Sequence, residues 1–257
     1  MKTRLYINRP LSTLHPEHLA GLQQVLDVAQ KVPFPYWPGK AQASENPSRR
    51  PENNKKLSEL CGLQSVLNIF LDQELRERGF QAEPVLRPHL PNDDKRLDHS
   101  LTFSDGRILA LENEFGNGAH ALSNFHKFTE ALNHGRAALC GIICPLSATA
   151  RITTGGSITY EATVQELRNA HPDTFRGPVF VIGVDHAESE MADFSQSRLA
   201  HAGLLSGNND KGLIWHVVSQ YRAGVPLRDI DVPANNAHRH AKLQQRVRAE
   251  TPQMALI

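Results

Sequence analysis

Residues 97–116 read L-D-H-S-L-T-F-S-D-G-R-I-L-A-L-E-N-E-F-G. Leu97 to Phe103 and Arg107 to Phe115 are short apolar-rich runs, and the S-D-G between them is a turn signal, so the stretch predicts a β-hairpin. If Ser104, Asp105 and Gly106 form a three-residue loop, Phe103 faces Arg107, and counting back sets Asp98 opposite Glu112. A four-residue loop shifts the register by one and turns Asp98 to the other face. The three-residue loop with glycine in the left-handed position is a common hairpin form, and it is the one expected here. Glu112 and Glu114 are two apart, so both emerge on the face that carries Ile108 and Ala110 further back.

The expectation is therefore three carboxylates, Asp98, Glu112 and Glu114, converging where a strand turns from apolar to acidic. Like charges so placed repel unless a cation neutralises them, and oxygen-only donors favour Mg²⁺ or Mn²⁺ over zinc. Such an ion suits phosphodiester hydrolysis: it polarises the phosphoryl oxygen, helps to make hydroxide and stabilises the leaving oxygen. On spacing alone, solvated charges at a strand end are the other reading.

Outward from the hairpin, Leu122, Phe125, Phe128, Thr129 and Leu132 mark a helix that ends at His134-Gly135. The apolar run A-A-L-C-G-I-I-C, a helix near Tyr160 to Ala170 and the run P-V-F-V-I-G-V follow. Strand, helix and buried strand imply a βαβ unit, so the fold class is α/β with a mixed central β-sheet flanked by helices. Upstream, a helix is expected from Pro16 to Val32, then the extended V-P-F-P-Y-W-P-G-K and a polar loop over 41–54. A long helix from Lys55 to Arg78, closed by Gly79, carries the stripe Leu60, Leu63, Leu67, Phe70 and Leu71. Glu74 continues that stripe: either it is paired on a buried face, or the helix is ending and it meets solvent. A last helix is expected in G-L-I-W-H-V-V-S-Q-Y-R. The chain reads as one domain, with 1–54 as N-terminal helix and proline-rich loop, 55–194 as catalytic core and 195–257 as C-terminal extension.

The 257 residues carry 28 Lys plus Arg against 27 Asp plus Glu, a net charge of +1 that excludes a uniformly basic coat. The three cysteines, Cys61, Cys140 and Cys144, form no CxxC pair, and an odd count argues against a secreted disulfide scaffold. There is no apolar leader at the start and no stretch long enough to span a bilayer, so a soluble cytoplasmic protein is expected.

The segment A-L-E-N-E-F-G-N-G-A-H-A-L-S-N-F-H-K-F resembles the catalytic segment of the BamHI-like type II restriction endonucleases, a branch of the PD-(D/E)xK nuclease superfamily. The resemblance runs on through L-N-H-G-R-A-A-L-C-G-I-I-C-P to G-P-V-F-V-I-G-V, and upstream it takes in P-Y-W-P and K-L-S-E-L-C-G-L. It covers the chain from about Tyr36 to Asp185 and implies a restriction-endonuclease-like fold. It implies Asp98 and Glu112 as metal ligands, and Glu114 at the position that is lysine in most of the superfamily, as general base or as further metal ligand. Glu74 falls where that branch carries an additional active-site glutamate. Asn117 and the first turn of the following helix resemble the element that enters the major groove. The loop R-I-T-T-G-G-S-I-T, with Arg151, Thr153 and Thr154, sits where the family has further base contacts, but lacks the family's Asp-Arg pairing there. Arg239 and Lys242 belong to a basic tail that is either a phosphate clamp or a solvated face.

The expected function is Mg²⁺-dependent cleavage of duplex DNA at a short palindromic sequence, leaving 5′-phosphate ends, by a homodimer with one active site per strand. The residues 55–78 are the candidate interface. A repair or junction nuclease without a fixed sequence, and an inactive DNA-binding protein of the same fold, are the alternatives.

Overall fold

The computed structural model describes residues 1–38, 60–86, 96–115, 120–153, 157–171, 173–198 and 211–231. The chain divides into two compact units, one made of Met1–Phe34 and Leu71–Met191, the other of Pro35–Phe70 and Ala192–Ile257.

The first unit is built on a six-stranded mixed sheet. Its strands are β1 (Lys2–Ile7), β4 (Gln81–Ala82), β5 (His99–Thr102), β6 (Ile108–Asn113), β7 (Ala137–Pro145) and β8 (Val179–Asp185), in the order β1-β8-β7-β6-β5-β4. β6, β7 and β8 are parallel, and β1, β5 and β4 pair antiparallel at the flanks. All nine residues of β7 are buried, as a central strand covered on both faces requires. Helix α1 (Pro16–Lys31) lies on one face, where Gly21 lets it approach Phe103 and Leu109. On the other face, Phe128, Ala131 and Leu132 of α3 (His120–Asn133) and Val164 and Leu167 of α5 (Tyr160–Asn169) pack with Ala110, Cys140, Ile142 and Val181. A four-residue helix, α4 (Ser147–Ala150), follows β7. Gly141 of β7 is obligatory for space: a Cβ there would lie 2.0 Å from the Phe180 ring that covers it.

The second unit holds a three-stranded sheet, order β3-β2-β9, of β3 (Leu60–Gly62), β2 (Phe34–Pro38) and β9 (Met191–Asp193). Beside it, α6 (Lys211–Arg222) buries Leu213, Ile214, Val217 and Val218. Phe70, Phe194 and Tyr221 form an aromatic cluster with centroids 5.8–6.1 Å apart.

The α/β class, the mixed sheet, strands β5 to β8 and helices α1, α3, α5 and α6 follow the sequence expectations. One helix does not. In place of a helix from Lys55, α2 spans Gln64–Glu77, and Leu60–Gly62 is a strand whose Cys61 pairs with Trp37. Helical periodicity at Leu60 loses there to backbone pairing with the proline-rich segment, which is itself a strand rather than only an extended connection. Residues 41–59 lie outside the described residues. β1, whose Lys2 and Arg4 are exposed while Leu5 and Ile7 are half-buried, is an addition that the sequence reading did not contain.

Candidate active site

The hairpin has the register deduced from its loop. His99 pairs with Leu111 and Thr102 with Ile108, which sets Asp98 opposite Glu112. Phe103 N–H donates to the Arg107 carbonyl at 2.8 Å, and Gly106, at φ +82°, donates to the Phe103 carbonyl at 3.0 Å. A side chain at 106 would be strained in that left-handed conformation.

At the carboxyl end of β6 the side chains are buried and polar. Asp98 Oδ2 accepts from the Asn113 N–H at 2.7 Å, which anchors that carboxylate across the strand pair. Glu112, 3% exposed, lies on the α3 face, and Lys127 Nζ of α3 donates to its Oε1 at 2.8 Å. Burial, followed by the charge of Asp98, pushes the Glu112 carboxyl up to about 8, against the pull of Lys127. Glu114, also buried, accepts at Oε2 from Asn124 Nδ2 at 2.9 Å. Asn124, Lys127, Phe128 and Ala131 follow one another at helical spacing, so one face of α3 supplies both the apolar cover of the sheet and the polar partners of the two glutamates. The signal for Asn124 and Lys127 was their position beside that apolar stripe, one turn before Phe128 and Ala131.

The opposite face of the strands carries a second polar row. His99 Nε2 lies 2.9 Å from Asp72 Oδ1 of α2, and its Nδ1 lies 3.5 Å from Asn113 Nδ2. Burial works to raise Asp72, but the hydrogen bonds from His99 and Arg76 outweigh it and hold the carboxyl below its usual range.

The expected convergence of three carboxylates centres on Asp98 and Glu112, and the charge of Glu114 also reaches Glu112 and helps to raise it. Asp98 and Glu112 face each other, but Glu114 lies past the last residue of β6 and is turned to Asn124. Among the described residues no three His, Cys, Asp or Glu side chains are grouped so as to hold a metal ion by themselves. Glu74 is buried, so the solvent reading of that position is overturned; Lys31 of α1 meets it at 3.0 and 3.1 Å. It stands on α2, the helix whose Asp72 meets the strands on the face away from Glu112.

Arg151 is exposed at the end of α4, and the Thr153 hydroxyl donates to the Ala150 carbonyl at 3.1 Å. Both follow β7 and so leave the sheet at the same end as Glu112. The Ser157 hydroxyl, past that loop, bonds to the Phe115 carbonyl next to Glu114. Asn117, Thr154, Arg239 and Lys242 lie outside the described residues, and no described helix is long and apolar enough to cross a membrane.

A parallel three-stranded centre with an antiparallel hairpin at its flank and helices on both faces is the restriction-endonuclease-like fold that the resemblance implies. The Endonuc-BglII family, described as restriction endonuclease BglII/BglIII, matches residues 42–184, more than half of the chain. The chain belongs to this family, and it is a type II restriction endonuclease, a site-specific deoxyribonuclease. Among eight matching chains of solved structures is restriction endonuclease BglII complexed with a DNA 16-mer. It is 15% identical, covers 74% of this chain and 88% of its own, and superposes with a TM-score of 0.54, which establishes the shared fold. No curated protein matches the chain. The family that matches is thus named for BglII, while the likeness to the BamHI-like branch rests on the segments quoted above.

Enzymes of this family work with a divalent metal ion. The residues fit one. Asp98 and Glu112 offer only oxygen donors, they stand opposite one another, and the raised Glu112 carboxyl registers a repulsion and a desolvation that a divalent cation relieves.

Proposed function

We propose that Asp98 and Glu112 would hold a Mg²⁺ ion, for which Mn²⁺ would substitute, and that with Glu114 they hydrolyse the phosphodiester bonds of duplex DNA at a short palindromic sequence. The observation that carries the proposal is the pairing of Asp98 with the buried Glu112 at the carboxyl end of β6, the usual place of a ligand in a parallel sheet. When bound, the ion polarises the phosphoryl oxygen and lowers the pKa of its water. Asn113 fixes Asp98 through its backbone N–H. Lys127 supplies the positive charge that lets Glu112 ionise within a buried setting. Glu114, steadied by Asn124, takes up the proton of the attacking water or orients that water in line with the leaving 3′-oxygen, so that 5′-phosphate ends result. Glu74 acts as an additional acidic residue of the site. Its partner Lys31 is itself 61% exposed, which leaves the carboxylate a counter-ion able to move away into water.

Asn117, Arg151, Thr153 and Thr154 are proposed to contact the DNA, together with Arg239 and Lys242 of the tail. Two-fold symmetry of the target calls for a homodimer, with the 55–78 segment as its interface, acting in the cytoplasm. Digestion of a fully sequenced unmethylated phage DNA with Mg²⁺ tests the proposal, in parallel with Glu112→Ala and with EDTA. Discrete fragments that share one palindrome at their ends, absent from both controls, are expected. A smear points to a nuclease without a fixed sequence, and DNA binding without cutting overturns the assignment of the acids. Glu74→Gln is expected to slow cutting about tenfold or more without loss of Tm; unchanged cutting with a lowered Tm makes Glu74 a structural ion pair.

A further inference from the structure

At the end of the six-stranded sheet away from the carboxylates, the first unit forms a cavity of 370 Å³, within the range of about 300–1,000 Å³ typical of small-molecule sites. Its place follows from the topology. Arg107 immediately precedes β6, Ala137 opens β7, Pro178 immediately precedes β8, and Arg9 follows the antiparallel β1. The six residues of β6 thus separate it from Glu112 and its neighbours by roughly 15–20 Å.

The lining is basic. Arg9, Arg107 and Arg176 are exposed at the rim with His15, and among the described residues that line the cavity none is Asp or Glu. Arg107 is already matched to Asp105 at 2.6 Å. Arg9 and Arg176 have neither a hydrogen bond nor an ion pair among the described residues. His18 also lines the cavity. It is 8% exposed, its ring lies tilted against Phe103 at 4.6 Å and His15 at 5.4 Å, and among the described residues its ring nitrogens make no hydrogen bond. Its ring nitrogens are not sealed off from solvent, so a ligand entering the cavity can meet them. Leu132, Ala137 and Ala138 add an apolar wall.

We propose that this cavity binds a small phosphorylated molecule of nucleotide size. Arg9 and Arg176 hold the phosphate in forked, charge-assisted hydrogen bonds, His18 adds a third polar contact, and the apolar wall covers the sugar or base. A concave site with arginines at its rim suits the phosphate of a free ligand. A DNA backbone presents its phosphates on a convex surface, and the function proposed above puts the duplex at the other end of the strands.

Isothermal titration of the full-length protein in EDTA, with pyrophosphate, AMP and ADP in turn, tests this without metal or DNA. Saturable one-site binding with a Kd below about 1 mM is expected for at least one of the three. Arg9→Ala and Arg176→Ala should each weaken it about tenfold, the size of one lost charge-assisted hydrogen bond. Both arginines are exposed, so the fold is not at risk. His18→Phe should weaken binding while His18→Gln retains part of it. Three results overturn the proposal: no saturable binding of any of the three, binding indifferent to both arginines, or displacement of the ligand by a DNA duplex whose affinity depends on the same arginines.

Discussion

Glu112→Gln isolates the consequence of burying a carboxyl group opposite a second one. In the folded protein Glu112 is pushed from 4.5 up to about 8 by burial and by Asp98. A raised carboxyl pKa means that the folded state binds a proton more tightly than the unfolded state does. Wild-type stability is therefore unaffected by this group below about pH 4.5, falls as pH rises, and levels off above about pH 8. At about 1.4 kcal/mol for each tenfold change in proton affinity, the full loss has a ceiling of roughly 5 kcal/mol, and about 2 kcal/mol is already reached at pH 6. Glutamine has the same shape and no proton to lose. Urea unfolding in EDTA should show the two proteins equally stable near pH 4.5, with the variant gaining on the wild type up to pH 9. The measured gain should be smaller than the ceiling, because Lys127 loses its ion pair, although at 20% side-chain exposure it can turn toward water. Adding Mg²⁺ should stabilise the wild type and leave the variant unmoved. A difference between the two that does not change with pH, or a variant less stable than the wild type at pH 9, would refute the reasoning. DNA cleavage by the variant should be lost at every pH.

Two further outcomes concern neighbours of this group. Lys127→Met removes the cation that holds Glu112 down, so the rising limb of the pH–rate profile for DNA cleavage should move upward, with roughly tenfold slower cutting at pH 7.5. Gly141→Ala places a methyl group 2.0 Å from the Phe180 ring, and thermal unfolding should show a loss of roughly 3 kcal/mol, or about 6–12 °C in Tm, partly restored by Phe180→Leu.

The acidic pair was legible because it depends on counting. Once Gly106 marks the turn, alternation along two strands determines that Asp98 and Glu112 meet, and no long-range information is needed. The buried runs Ala137–Pro145 and Val179–Asp185 were legible for a related reason, since only a strand covered on both faces tolerates such continuous apolarity. Leu60 misled because its spacing to Leu63 and Leu67 is helical, whereas its conformation is decided by a partner strand more than twenty residues earlier. β1 escaped because its partner, β8, lies at the far end of the unit's sequence. Lys127 and Asn124 went unread because a polar residue beside an apolar stripe looks like its solvated border until the strand it covers is known to end in glutamates.

Surface turns are the parts of a protein where evolution inserts and deletes most freely. The turn at 104–106 is exposed and touches no acid of the site, yet its length is a coordinate of the chemistry. One residue more between Phe103 and Arg107, taken up as a one-residue shift of the hairpin register, turns Asp98 to the other face and separates it from Glu112. The lineage of this chain is thus expected to vary in what occupies positions 104 and 105 far more readily than in how many residues the turn has. An enzyme of this kind is disarmed most simply by a single inserted codon in a turn where, Gly106 apart, substitutions touch nothing of the site.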